Sequence, residues 1–284
     1  MNTIQLGFKA FDPHELLCHF VALDSGLYKL ENLAIELVDI TFTADADLPN
    51  DLFQVSCGAA LSCAAQGFPQ RIVFVATDRP MFWLYSTREI RNINGLINSK
   101  IATYPEFAPP HHLVNLVLKK SGINVAHDIN LLPARDDMAR LGLLKSGNVD
   151  AAVISSAIPP AKIEQAGYRM LCCLGDELRI PTTGLAIDQS YLEKEPELVQ
   201  TISSILKQSL SIIHKDPDML GAVLQRYFDV DDKFKNATAQ LYQQYFTANG
   251  RTTAEIAQHA IDSLCNALSI SKIPDWEKIY CYSH

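Results

Sequence analysis

Apolar and polar residues follow two rhythms along this chain. Short, strand-like runs recur: "TIQLGFKAF" at 3–11, "LAIELVDI" at 33–40, "QRIVFVATD" at 70–78, "MFWLYST" at 81–87, "KIATY" at 100–104, "INLLPA" at 129–134, "AAVISS" at 151–156, "YRMLCCLG" at 168–175 and "TTGLAIDQSYL" at 182–192. Between them lie segments of helical period. The first places Leu16, Leu17, Phe20 and Val21 on one face, with Asp12 as a cap, Pro13 at the first position and Ser25-Gly26 as the stop. Further helices are expected in "CGAALSCAAQG" (57–67), "PPHHLVNLVLKKSGI" (109–123), "DDMARLGLLKSGNVD" (136–150) and "PPAKIEQAG" (159–167). After residue 192 the strand rhythm ceases, and four helices are expected at 195–214, 217–228, 236–248 and 253–268. Alternating β and α predicts right-handed β-α-β units in a parallel sheet, so the fold class is α/β with a helical C-terminal section.

Composition narrows the function classes. The 284 residues are 48% apolar and 20% charged, with a formal charge of -8 and no Lys/Arg-rich run, which removes the electrostatic footprint of a nucleic-acid or anionic-membrane binder. No apolar run approaches the roughly 20 residues of a membrane helix. The N-terminus enters a strand without a basic and apolar leader, so the chain is expected either to stay in the cytoplasm or to lack a leader that has been removed. Seven cysteines, Cys18, Cys57, Cys63, Cys172, Cys173, Cys265 and Cys281, make an odd set without zinc-type spacing, read as reduced thiols.

Five collinear strings carry a family likeness: "ALDSGLYKLENLAIELVDI", "AAQGFPQRIVFVATD", "INGLINSKIAT" followed by "LKKSGI", "LLKSGNVDAAVIS" and "TTGLAIDQSYLEKEPELV". In them the chain resembles the type 2 periplasmic solute-binding proteins of ABC importers, in the nitrate/sulfonate/taurine group, which also contains a thiamine-pyrimidine synthase. The resemblance implies two α/β lobes joined by two crossover hinge strands. Lobe one would comprise residues 1–82 and 185–284, and lobe two residues 83–184. It also implies a small-molecule ligand between the lobes, an ABC permease as partner, and a periplasmic location if a leader was removed.

Ligands of open α/β sheets sit beyond the carboxyl ends of the strands. Four loops qualify here: 8–14, 55–60, 103–111 and 154–159. The candidate ligand-binding residues are Phe11, His14, Ser56, Cys57, Gly58, Arg79, Trp83, Tyr104, Glu106, Phe107, His111, Ser155 and Ser156. Helix N-termini can hold an anion or ring acceptor through free N–H groups, the small residues at 56–59 admit a ligand to the backbone, and the aromatic residues can stack on a flat one. Arg79 is the guanidinium expected to meet an anion. Each residue has a plainer reading. Cys57 to Ala60 also suit close helix–strand packing, Trp83 and Phe82 suit a hinge-strand core, Arg79 suits pairing with Asp78 or other surface acids, and Ser155 and Ser156 suit capping of the following helix.

Adjacent His111 and His112 point about 100° apart on a helix and cannot chelate one ion, and H-E-x-x-H is absent, so no metal is expected. No P-loop, G-x-S-x-G or G-x-G-x-x-G occurs. The synthase relative carries a pyridoxal-phosphate lysine, and a histidine four residues later, ahead of its "GFP" string. Counted back from Gly67-Phe68-Pro69, those places hold Val55 and Ala59. The expectation is therefore a monomeric, non-catalytic, cofactor-free binder of a small organic ligand, ring-containing and neutral or weakly anionic, with a sulfonate also allowed. The alternatives are a cytoplasmic biosynthetic enzyme on the same scaffold and a ligand sensor.

Overall fold

The computed structural model describes residues 2–106 and 108–282. Its ten strands are β1 (Asn2–Phe8), β2 (Leu33–Asp39), β3 (Phe53–Gln54), β4 (Gln70–Thr77), β5 (Phe82–Ser86), β6 (Ser99–Thr103), β7 (Ile129–Pro133), β8 (Ala151–Ser155), β9 (Arg169–Cys173) and β10 (Thr183–Asp188). They form two five-stranded sheets, ordered β2-β1-β3-β10-β4 and β7-β6-β8-β5-β9, one in each lobe. β1 runs parallel to β2 and β3, and β6 parallel to β7 and β8. The strands that follow each passage between lobes are antiparallel insertions: β5 lies between β8 and β9, and β10 between β3 and β4.

The chain passes between the sheets twice, at 78–81 and 174–182. The two passages are laced together. Ile180 N–H donates to the Asp78 carbonyl (2.8 Å), Thr182 N–H donates to the Thr77 carbonyl (3.0 Å), and the Arg179 guanidinium pairs with the Asp78 carboxylate at 2.7 Å. Gly175 is needed here, because a Cβ would stand 2.6 Å from the Pro80 carbonyl oxygen.

The Pro13–Asp24 helix forms as its sequence predicts. The Asp12 carboxylate accepts the Glu15 N–H at 3.0 Å and Pro13 occupies the first position. Every residue from Pro13 to Ala22 is buried, because the helix lies between the first sheet and the C-terminal helices. The Pro196–Lys215 helix turns Val199, Ile202, Leu206, Leu210 and Ile213 inward and covers it, with the Ser209 hydroxyl donating to the Cys18 carbonyl.

The helix expected at 236–248 instead spans Asp232–Tyr242. Beyond it, Thr247 N–H donates to the Ala76 carbonyl (2.8 Å) and Phe246 bridges Thr77, so this segment runs extended along β4. A 3-10 turn, Gln243–Tyr245, continues the helix briefly, and the pairing available at that sheet edge then overrides the helical period from residue 246. Tyr242 stacks on Trp83 at 5.7 Å between ring centroids and 20° between planes, and the Asp232–Tyr242 helix contacts the Pro160–Gln165 helix of lobe two. One apolar cluster therefore runs from Leu6 and Leu206 in lobe one to Trp83 and Ile154 in lobe two.

Candidate functional site

Three of the four predicted loops meet where the lobes touch, at the carboxyl ends of β1, β6 and β8, and the fourth adjoins them. The His14 N–H donates to the Ser156 hydroxyl at 2.9 Å across the lobes. The Ser156 hydroxyl also acts on the Asp12 carboxyl, favouring its charged form. The Tyr242 hydroxyl, from the C-terminal section, donates to the Ser156 carbonyl at 2.7 Å. Ser56, at the start of the Cys57–Ala65 helix, acts on the Glu15 carboxyl and favours its charged form, which sets the second loop beside the first.

His14 is buried, with Nε2 lying 3.0 Å from the Thr77 hydroxyl and 2.8 Å from that of Thr182. Burial lowers its imidazole to about 3, so the ring is neutral at physiological pH. Its edge meets Phe82 at 5.5 Å, and Phe82 meets Tyr104 at the same distance. Asp12 and Glu15 are pushed up to about 8 and about 7, foremost by burial, and for Asp12 also by the Glu15 charge. The Glu15 carboxylate accepts the N–H groups of Lys9 (2.8 Å) and Ala10 (3.1 Å).

On lobe two, Asp137 accepts the Ser155 N–H (2.9 Å), the Ser155 hydroxyl (2.5 Å) and the Arg140 guanidinium (2.6 Å). Arg140 is 1% exposed and also donates to the carbonyls of Val153 (2.7 Å) and Ala134 (2.9 Å). Its guanidinium lies 3.6 Å from the centroid of the Tyr104 ring, a close cation–π contact. Burial holds the Tyr104 phenol well above its ordinary range, so it stays protonated. His111 Nδ1 lies 3.0 Å from the Tyr104 carbonyl and anchors that loop to the Pro109–Lys120 helix.

The remaining candidates lie differently. Arg79 pairs with a surface acid, as its plainer reading allowed, but with Asp176 rather than Asp78: it meets Asp176 at 2.5 Å, donates to the Gly175 and Gln244 carbonyls, and lies over Tyr245. Arg179 takes Asp78 instead. The Cys57 thiol is fully buried and donates to the Phe74 carbonyl, so this small-residue helix packs closely on β4. Gly58 N–H donates to the Thr182 carbonyl at 3.1 Å, which fastens the same helix to the second passage. Trp83 is core, stacked on Tyr242. Phe11 joins Phe8, Phe20 and Phe228 in a ring cluster of lobe one. Glu106 is exposed, and Phe107 lies outside the described residues. Ser155 caps no helix: its hydroxyl serves Asp137 and the Ala157 N–H, and the following helix begins after Pro159.

Thr77, Thr182, Asp137, Arg140 and Tyr242 were not among the sequence candidates. Asp137 and Arg140 carried a local signal, a carboxylate and a guanidinium three apart at a helix start following a strand. The threonines carried none, because Thr182 reaches His14 from 168 residues away.

Chemically, the region offers hydroxyls, a neutral imidazole and carboxyls rather than an activated nucleophile. Burial raises the Cys57 thiol, which disfavours its thiolate. Val55 and Ala59 are buried and apolar, so the residues present do not fit a pyridoxal-phosphate aldehyde with a lysine partner. Among the described residues, no three His, Cys, Asp or Glu side chains come together as metal ligands, and no helix is long and apolar enough to cross a membrane.

These buried groups give stability a defined pH dependence. Asp12 and Glu15 bind protons in the folded state that the unfolded chain has released above its carboxyl range, so their contribution is lost as pH rises toward about 8 and about 7, respectively. His14 and His19, lowered to about 3 and about 4, act oppositely below the unfolded histidine range near 6.5. The effects offset one another up to about pH 6.5, and above it the carboxyls act alone. Stability should therefore fall by about 2 kcal/mol between about pH 6.5 and 8. In Asp12→Asn, denaturant titrations across this range should give a flatter profile. An unchanged slope in the variant would remove Asp12 as its source.

No curated protein matches this sequence. Among solved structures, the periplasmic aliphatic sulphonate binding protein SsuA of Escherichia coli is similar at a TM-score of 0.78 and 16% identity, over 98% of this chain and 97% of that one. A conserved gene product of Candida albicans with the generic periplasmic binding protein fold is similar at 0.73 and 12%, over 99% and 96%. The desulfurization enzyme DSZB is similar at 0.71 and 13%, over 98% and 96%. At these identities the likeness is one of fold. A family model described as NMT1/THI5 like matches residues 15–219, most of the sequence. On that match, the chain belongs to the NMT1/THI5-like family.

Proposed function

We propose that this protein is a solute-binding protein that holds a small organic ligand between its lobes and delivers it to an ABC-type permease. The observation that carries this reading is the meeting of helix starts and strand ends from both lobes at His14, Ser156 and Tyr104, with direct bonds between the lobes. Parting the lobes about the passages at 78–81 and 174–182 opens that region to a ligand, and closing them surrounds it. The moving bodies divide near residues 82 and 184. Phe82 and Tyr104 supply ring surfaces, which suits a ring-containing solute. Escherichia coli SsuA, on the same fold, is an aliphatic sulphonate binding protein, which supports the import role. A binding role without catalysis is favoured by apolar Val55 and Ala59 and by the buried Cys57 thiol. Action in import implies a site outside the inner membrane and a permease as the macromolecular partner.

The test is a thermal-shift screen over sulfonates, aromatic acids, pyrimidines and amines. A ligand at 100 times its Kd adds about 2.7 kcal/mol, or roughly 5–10 °C for a chain of this size. Tyr104→Ala should fold and lose the shift. A full shift in that variant would place the ligand elsewhere.

A further inference from the structure

Lobe one has a second concave region, at the end of β4 and β10 that lies away from the two passages. It is a cavity of about 390 Å³, lined by Leu48, Asn50, Phe68 and Glu193 together with buried Gln70 and Asp188. That volume is within the range of small-molecule sites. Gln70 opens β4 and Thr77 ends it, so the cavity stands roughly 20 Å along the strand from the hydroxyls around His14.

Asp188 faces Gln70 directly across the β10–β4 ladder, which puts both side chains on one face of the sheet. They are 6% and 8% exposed, yet neither is fully engaged. Asp188 Oδ1 accepts both the N–H (2.8 Å) and the hydroxyl (2.5 Å) of Ser190, whereas Oδ2 has no partner among the described residues. Gln70 Oε1 accepts one bond, from Gln54 Nε2 at 3.3 Å. A carboxylate this deeply buried ordinarily faces a cation. Among the described residues, no Lys, Arg or His lines the cavity. Arg71, next along β4, donates instead to the Gln70 carbonyl and the Gln189 side chain, and Glu193 adds a second carboxyl to the wall. An anion is disfavoured there, and the missing counter-charge is one a ligand can bring.

The hydrogen bonds narrow the kind of cation. Ser190 fills Oδ1, so a forked guanidinium or amidinium cannot use both Asp188 oxygens. A primary ammonium needs only Oδ2, and its other N–H groups can reach acceptors such as Gln70 Oε1, which keeps a lone pair. Exposed Phe68 and half-buried Leu48 offer surface to an apolar body, and the Phe68 ring favours a cation near its face.

We propose that this outer groove of lobe one is a second ligand site, for a small primary amine with an apolar body, and that Asp188 receives the ammonium. The groove is built from one lobe, so the site is independent of lobe closure and of the solute-binding reading above. A ligand held from one side binds more weakly than one enclosed by both lobes.

Titration of the isotope-labelled full chain with benzylamine, benzyl alcohol and benzoate, followed by backbone amide NMR shifts, tests the proposal, because the three share a ring and differ in head-group charge. Benzylamine should shift residues 48–50, 68–70 and 188–193 saturably, with a Kd of about 1 mM or tighter, and the other two should bind at least about tenfold more weakly. Asp188→Asn, which keeps an acceptor for Ser190, should weaken benzylamine by about tenfold or more, and Glu193→Gln, at an exposed position, by less. The proposal is overturned by benzyl alcohol or benzoate binding as tightly as benzylamine, by the absence of saturable shifts at those residues, or by a folded Asp188→Asn variant with unchanged affinity. The head-group comparison decides even if that variant does not fold. If benzylamine instead shifts the loops around His14 and Tyr104 and Tyr104→Ala abolishes its binding, the groove proposal falls while the solute-binding reading stands.

Discussion

Asp137→Ala is expected to cost about 3–5 kcal/mol of folding stability, because it leaves a buried guanidinium without its counter-charge. Arg140 is almost fully enclosed, and Asp137 is its carboxylate partner at 2.6 Å. The same substitution strips the acceptor from the Ser155 N–H and hydroxyl, so the β8 end loses its anchor beside the cleft. Ligand binding should fail with it. Equilibrium urea unfolding measures the stability loss, and a cycle adding Arg140→Met isolates the pair: the double variant should regain part of the loss, since an apolar pair need not be hydrated. A single-variant loss below about 1 kcal/mol would mean that the guanidinium finds water in place of Asp137.

The second large effect is expected at Gly184. A Cβ there would stand 2.0 Å from the Phe74 carbonyl oxygen and 2.8 Å from the Phe74 carbonyl carbon and Val75 Cα. All three atoms belong to the backbone of β4, and the clash falls where the β10–β4 register shifts, between Thr183 and Gly184. No rotamer change relieves it, so the two strands must separate. Gly184→Ala should cost about 4 kcal/mol or more, with loss of soluble protein at 37 °C. Thr182 and Thr183 immediately precede it and carry the hydroxyl network around His14, so whatever folds should bind poorly. Gly142→Ala is the matched comparison: it lies within the Asp137–Lys145 helix, a Cβ there meets nothing within 4 Å, and the change should be neutral or stabilising. Equal melting temperatures for Gly184→Ala and the parent would contradict the close approach of β10 to β4.

Much of this architecture was legible in the sequence because local chemistry and global fold agree. Asp12-Pro13 is a local start signal and starts a helix in the protein, and the strand runs are apolar enough to be recognised without their partners. The end of the Asp232–Tyr242 helix was not legible. Residues 243–248 have helical spacing, and only the open edge of β4, distant in sequence, draws Phe246 and Thr247 into extended pairing. The four loops could be placed by the rule that ligands gather at strand carboxyl ends, a property of the fold. The partners inside them could not. Arg79 looked suited to an anion because its neighbours at the first passage were the visible part, whereas Asp176, 97 residues on, is what holds it. Arg140 was not among the candidates, because the β8 carbonyl and the Tyr104 ring that enclose it come from distant elements.

The central claim is that the ligand sits between the lobes. Amide hydrogen exchange of the full chain, with and without the solute that gives the largest thermal shift, tests it most directly. Protection is predicted at the start of the Pro13–Asp24 helix, at the β6 end around Tyr104 and at Ser155–Ser156 together, since closure buries all three at once. Protection confined to the outer groove of lobe one, a cavity of about 390 Å³ lined by Asn50, Phe68, Gln70 and Asp188, with the three loops unchanged, would contradict the account.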